Sequence, residues 1–338
     1  MRSEFPSIKS KNEMIIKDTK SADIHTPTGP MRTYVFRPAT EGRYPGLVLY
    51  SEIFQVTGPI RRIAAMLASH EFVVAVPEIY HELEQTGTVL AYDEAGAERG
   101  NRHKTTKTLS SYDGDARAVL DFLKPSPHCT GKLGVMGICI GGHLAFRAAM
   151  QSDVLATTYF YATDIHKRGL GEGMHDNSLD RIGEITGELL MIWGRQDPHI
   201  PREGRALIYN ALSDAGGHFQ WHEFNAAHAF LRDEGPRYDP AAAWICYDMA
   251  LELFTRKSGE GDRRRLPLPP RPPRCCAPPR PEPLAPRDRV HSAFGCRSRD
   301  DAHGPSPGWY ERDDHIFNPI LDSSLRTGVA LRHIADSK

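Results

Sequence analysis

Gly134-Val135-Met136-Gly137-Ile138-Cys139-Ile140-Gly141-Gly142 decides how the rest of this chain is read. A short apolar strand runs into Gly-x-Cys-x-Gly and then into a helix, the form of a nucleophile elbow that carries cysteine in place of serine. Such a turn is strained and tightly packed, so the positions two before and two after the nucleophile need residues without a Cβ. Gly137 and Gly141 supply them. The helix expected over Gly142 to Met150 points its first free N–H groups and the positive end of its dipole toward the sulfur, which stabilises negative charge developing there.

Partners follow in the chain order nucleophile, acid, histidine used by α/β-hydrolases. Leu189 to Asp197 reads as an apolar strand that ends in a turn, with Asp197 at its carboxyl end. His218 to Phe224 is strand-like, and His228 stands in the loop just beyond it. Each member of the expected triad Cys139, Asp197, His228 therefore follows an apolar strand. Strand candidates are Thr33 to Arg37, Gly46 to Tyr50, Phe72 to Val76, Leu133 to Met136, Thr158 to Tyr161, Leu189 to Trp193 and Phe219 to Phe224. Helix candidates are Pro59 to Ala68, Tyr112 to Leu123, Gly142 to Met150, Arg202 to Ala215 and Ala241 to Phe254. That alternation, with continuously apolar strands, predicts an α/β fold whose mostly parallel sheet carries helices on both faces and its site at the strands' carboxyl ends. Glu78 to Ser110 breaks the rhythm and reads as a long loop or short helices near the pocket mouth.

On these residues the chain resembles the dienelactone hydrolase family, the carboxymethylenebutenolidases, from about Thr26 to Phe254. Ser51-Glu52-Ile53-Phe54-Gln55-Val56-Thr57-Gly58 and Val76-Pro77-Glu78-Ile79-Tyr80 add to the likeness. The resemblance implies an α/β-hydrolase fold and a Cys-His-Asp triad. It also implies that Glu52 pairs with Cys139 and helps activate it when substrate enters, the other reading of Glu52 being an ordinary strand-end carboxylate. The N–H groups of Ile53 and Ile140 would form the oxyanion hole. In the family, arginines grip a substrate carboxylate. Arg232, four residues after His228, takes one such place, and a salt bridge to Asp233 or Glu234 is the alternative. Where the resemblance leads to a second arginine the chain reads Tyr80-His81-Glu82, with Tyr80 shaping the substrate site and Glu82 repelling an anion. A neutral lactone or ester thus stands beside an anionic one as substrate.

Other features exclude function classes. A formal net charge of −1 over 338 residues gives no bias toward nucleic acid or anionic membrane. Apolar runs such as Phe72 to Val76 fall far short of the ~18 residues of a membrane span, and the amino terminus has no apolar signal core. The expected location is cytoplasmic. Six cysteines do not form a disulfide framework at this length. His143 and His199 read as a helix-start and a surface-loop residue. The histidine spacing suggests no metal site, and no phosphate-loop or dinucleotide motif is present, so no cofactor is expected.

Three segments are expected: residues 1–25 as an N-terminal segment, 26–257 as the hydrolase domain, and 258–338 as a low-complexity, disordered tail. Proline makes up half of Pro267 to Pro286, and Arg263-Arg264-Arg265 precedes it. Such composition cannot bury a core. It names no partner for the tail. The function expected is hydrolysis of a small lactone or ester through a cysteine thioester. The alternatives are a thiol esterase on neutral esters, or a noncatalytic hydrolase-like binding protein.

Overall fold

The computed structural model describes residues 16–259, and the Pro-rich stretch lies outside them. Eight strands form one sheet: β1 (Ile16–Thr26), β2 (Gly29–Pro38), β3 (Tyr44–Tyr50), β4 (Val73–Pro77), β5 (Cys129–Ile138), β6 (Val154–Phe160), β7 (Glu188–Gly194) and β8 (Phe219–Phe224). Their spatial order is β1-β2-β4-β3-β5-β6-β7-β8. The pairs β1–β2 and β2–β4 are antiparallel, and every other pair is parallel.

All of β4 and β7 is buried, residue after residue. Because side chains alternate between the two faces of a strand, this requires cover on both faces. The described residues form six α-helices, α1 (Gly58–Ser69), α2 (Glu94–Thr106), α3 (Leu109–Leu123), α4 (Ile140–Ala148), α5 (Arg202–Asp214) and α6 (Pro240–Lys257), of which α1, α3, α4 and α6 pack against strands of the sheet. Pro59 in the first turn of α1 presets its backbone. The Thr108 hydroxyl accepts from the Ser111 N–H to cap α3, and the Asp239 carboxylate accepts from the Ala242 N–H to cap α6.

Two elements depart from the sequence-based expectation. β1 has mixed polar composition and little apolar alternation, and it is held as a strand by its ladder to β2. Tertiary pairing overrides weak local propensity there. In the segment Glu78 to Ser110, α2 runs for 13 residues although it buries only Gly96 and Gly100. Its start is set by Asp93, whose carboxylate accepts from the Gly96 N–H at 2.8 Å.

The sheet determines where chemistry can occur. β3, β5, β6, β7 and β8 all point their carboxyl ends the same way, so Glu52, Cys139, Thr163, Asp197 and His228 are delivered to one rim of the molecule.

Candidate active site

Cys139 sits between β5 and α4 with φ 60° and ψ −121°. A non-glycine residue at positive φ persists only where its surroundings hold it. Here the holding is steric. A Cβ on Gly137 would overlap the Gly141 carbonyl, and one on Gly141 would meet the Tyr50 and Ser51 carbonyl oxygens, the latter at 2.5 Å. The Cys139 N–H donates to the Phe160 carbonyl at 3.0 Å, and the Thr163 N–H donates to the Cys139 carbonyl at 3.2 Å. Those bonds tie the elbow to the end of β6.

The three expected triad residues converge. His228 Nε2 lies 3.3 Å from Cys139 Sγ, and His228 Nδ1 lies 2.6 Å from Asp197 Oδ2. All three are buried. Burial disfavours the charged imidazolium of His228, but the Cys139 sulfur and the Asp197 carboxylate outweigh it and push the group up to about 10. Asp197 Oδ1 accepts from the His199 N–H at 2.8 Å, so both carboxylate oxygens are committed.

Glu52 is 2% exposed. Burial pushes its carboxyl above the usual range, opposed by the nearby cations Arg232 and His228. Its contacts are the Tyr92 hydroxyl, which donates to Oε2 at 3.3 Å, and Arg232 Nη1, 3.8 Å from the same oxygen. No hydrogen bond joins it to Cys139 among the described residues. Ile53 and Ile140 stand one residue after Glu52 and Cys139, and no hydrogen bond among the described residues uses either N–H.

Arg232 belongs to the cavity. Its guanidinium lies 4.2 Å from the centre of the Tyr92 ring. The carboxylates of Asp233 and Glu234, its alternative partners, bind Arg62, and Arg232 Nε donates to the Glu234 backbone carbonyl at 3.0 Å. Tyr80 does not reach the cavity. It is fully buried, and its hydroxyl donates to the Gly100 carbonyl at 3.1 Å, anchoring α2 from beneath. Glu82 also lies away from the cavity lining, 2.6 Å from Lys107 Nζ and hydrogen-bonded to Ser111 and Thr28. The repulsion expected of it toward an anionic substrate therefore does not arise at the site: a neighbouring ammonium compensates its charge.

A cavity of about 440 Å³ opens over Cys139 and His228. Its lining includes residues that the sequence did not single out: Tyr92, Asn101 and Lys104 from α2 and the loop before it, and Asp164 after β6. None follows a recognisable motif: α2 brings Asn101 and Lys104 to the strand ends, and β6 delivers Asp164 there. His199 also lines the cavity, its ring 4.6 Å from that of His228. His143 does not. It is buried with Nε2 2.8 Å from the Ser178 hydroxyl and 3.3 Å from Asp176.

Two clusters of metal-type donors lie among the described residues, each with its atoms within 4.8 Å of one another. In Asp197, His199 and His228 the carboxylate oxygens are already bonded to the other two residues. In His81, Glu82 and Asp115 the Lys107 ammonium stands 2.6 Å from both carboxylates and occupies the position of a cation.

Residues 31–258 match the model of the dienelactone hydrolase family. A protein of Saccharomyces cerevisiae named "Putative carboxymethylenebutenolidase" is 43% identical over 256 residues, 72% of this chain and 93% of that protein. A carboxymethylenebutenolidase of Pseudomonas sp. strain P51 is 27% identical over 218 residues, 64% of this chain and 86% of that protein. Among solved structures, that of a "Putative Dienelactone Hydrolase" from Klebsiella pneumoniae superposes with a TM-score of 0.62 at 20% identity, covering 70% of this chain and 98% of the other. No helix of the described residues is long and apolar enough to cross a membrane.

Proposed function

The chain belongs to the dienelactone hydrolase family of carboxylic ester hydrolases, and from that premise we propose that it opens a small lactone or ester through a thioester on Cys139. The observation that carries this reading is the line of contacts from Cys139 Sγ to His228 Nε2 at 3.3 Å and from His228 Nδ1 to Asp197 Oδ2 at 2.6 Å.

His228 accepts the Cys139 proton, and the sulfur attacks the carbonyl carbon while the carbonyl electron pair moves onto oxygen. The N–H groups of Ile53 and Ile140 receive that oxyanion. Collapse of the tetrahedral intermediate breaks the bond to the ring or alcohol oxygen, which takes the proton from His228. Water then gives a proton to His228 and attacks the thioester. The second collapse releases the acid, and the sulfur regains its proton. A thiolate is itself readily expelled, so the scheme suits a good leaving group such as an enolate better than an amine.

Glu52 and Arg232 fit an activating role that responds to substrate. An entering carboxylate would compete for Arg232 and free the Glu52 carboxylate beside the elbow. With Glu82 outside the cavity, an anionic substrate remains compatible with the site's charges. Hydrolysis of a dienelactone and of a neutral aryl ester, each with and without a thiol alkylator, tests the proposal. Alkylator-sensitive turnover is the expected result, with activity abolished in Cys139→Ala while the circular dichroism spectrum is kept. Undiminished turnover in that variant would overturn the mechanism.

A further inference from the structure

The far wall of the cavity is polar in a way the thioester chemistry does not require. Strand order places Glu52 to Phe54, after β3, on one side of Cys139 and Thr163 with Asp164, after β6, on the other. Helix α2 bridges the two sides. It begins beside Tyr92, which touches Glu52, and near its end Lys104 Nζ lies 2.7 Å from Asp164 Oδ2. From Glu94 to Lys104 it rises about 15 Å.

Along α2, Glu94, Ala97, Asn101 and Lys104, spaced three and four residues apart, line the open cavity, Glu94 and Asn101 exposed and Ala97 and Lys104 half-buried. Ala97 leaves room between the longer side chains. Asn101 is exposed in the cavity, and its amide has no hydrogen-bond partner among the described residues, so it is free to meet a ligand. Asp164, at φ 65°, is held in the left-handed region with its side chain only 15% exposed. Such conformations in non-glycine residues concentrate at ligand sites.

We propose that Asn101 with the Lys104–Asp164 pair forms a subsite for a hydroxyl-bearing part of the substrate, so that the substrate class is a hydroxylated lactone or ester rather than one with a bare hydrocarbon acyl group. The wall presents donors and acceptors together, and its two charges compensate each other at 2.7 Å. A hydroxyl both donates and accepts, and satisfies such a wall. A second carboxylate in this subsite would meet Asp164, and an ammonium would meet Lys104. The Arg232 and Tyr92 end of the cavity, about one α2 length away, remains for the other part of the substrate. This inference rests on the Cys139 hydrolase reading.

The test compares glucono-δ-lactone, which carries hydroxyls, with δ-valerolactone, which has none, on the full chain and on Asn101→Leu and Lys104→Met. The ratio of kcat/KM values for the two lactones cancels their different intrinsic reactivity when variant and parent are compared. The ratio is expected to fall about tenfold in each variant, mostly through KM for the hydroxylated lactone. Asn101 has no structural partner to lose, so its variant reports even if Lys104→Met fails to fold. Turnover of δ-valerolactone with a ratio unchanged to within about twofold in Asn101→Leu would overturn the subsite alone. Turnover of the neutral aryl ester but of neither lactone by the parent chain would overturn the subsite alone, and turnover of none of these esters would overturn the hydrolase reading and the subsite with it.

Discussion

At the residue scale, the triad is a charge arrangement before it is a catalyst. Asp197 spends one oxygen on His228 and the other on the His199 N–H, which fixes the imidazole face presented to Cys139. Asp197→Asn is expected to lower kcat by about 10²- to 10⁴-fold with a smaller change in KM, measured by steady-state kinetics. The shift of His228 also links stability to pH. Its folded-state value, about 10, lies above the usual value near 6.5 of the unfolded chain, so the folded protein binds the extra proton. The stabilisation is complete below about pH 6.5 and is lost as pH rises toward 10. Asp197→Asn removes the carboxylate that supports the proton. Thermal midpoints measured from pH 6 to 10 should therefore fall less steeply in Asp197→Asn than in the parent chain, and equal slopes would contradict this account of His228.

At the scale of elements, close approach governs the site. Gly141 allows the start of α4 to pass the Tyr50 and Ser51 carbonyl oxygens that end β3. Gly141→Ala must push backbone against backbone, and is expected to cost several kcal/mol, about the loss of a large core side chain, read as a lowered denaturant midpoint. Gly100 acts through a different surface. A Cβ there would come within 2.6 Å of the Ile53 carbonyl oxygen and 2.8 Å of the Ile53 Cβ. Because Ile53 carries one of the proposed oxyanion donors, Gly100→Ala should displace that N–H and lower kcat by about tenfold or more while KM changes less. Proportional loss of stability with unchanged kcat in the folded fraction would show that the contact is structural only.

At the scale of the molecule, the eight-stranded sheet is a platform whose rim collects residues from five strand ends. The last described helix closes over β6 and β7, and the family match ends at residue 258. Arg256 Nη1 and Lys257 Nζ reach Glu188 at the start of β7, at 2.8 and 3.5 Å, which finishes the helix on the sheet. A chain shortened to residues 1–259 is expected to keep its turnover and to hold its thermal midpoint within about 2 °C, since the contacts among the described residues already fix the site. A larger drop, measured by calorimetry, would assign the remaining residues a part in the fold.

The elbow, the order of its partners and the parallel core strands were legible in the sequence because each is a local pattern: small residues at fixed spacing around Cys139, and continuous apolar runs before Asp197 and His228. The polar strand β1 and helix α2 were not legible, since long-range pairing and a cap with close glycine contacts hold them rather than an apolar stripe. For the same reason Tyr80 and Glu82, which the sequence places near the substrate site, do not line the cavity, while Tyr92, Asn101, Lys104 and Asp164 do. Short-range chemistry is encoded along the chain and can be read there. Which side chains face a shared cavity depends on how helices cross strand ends far apart in sequence, and packing in three dimensions alone decides that.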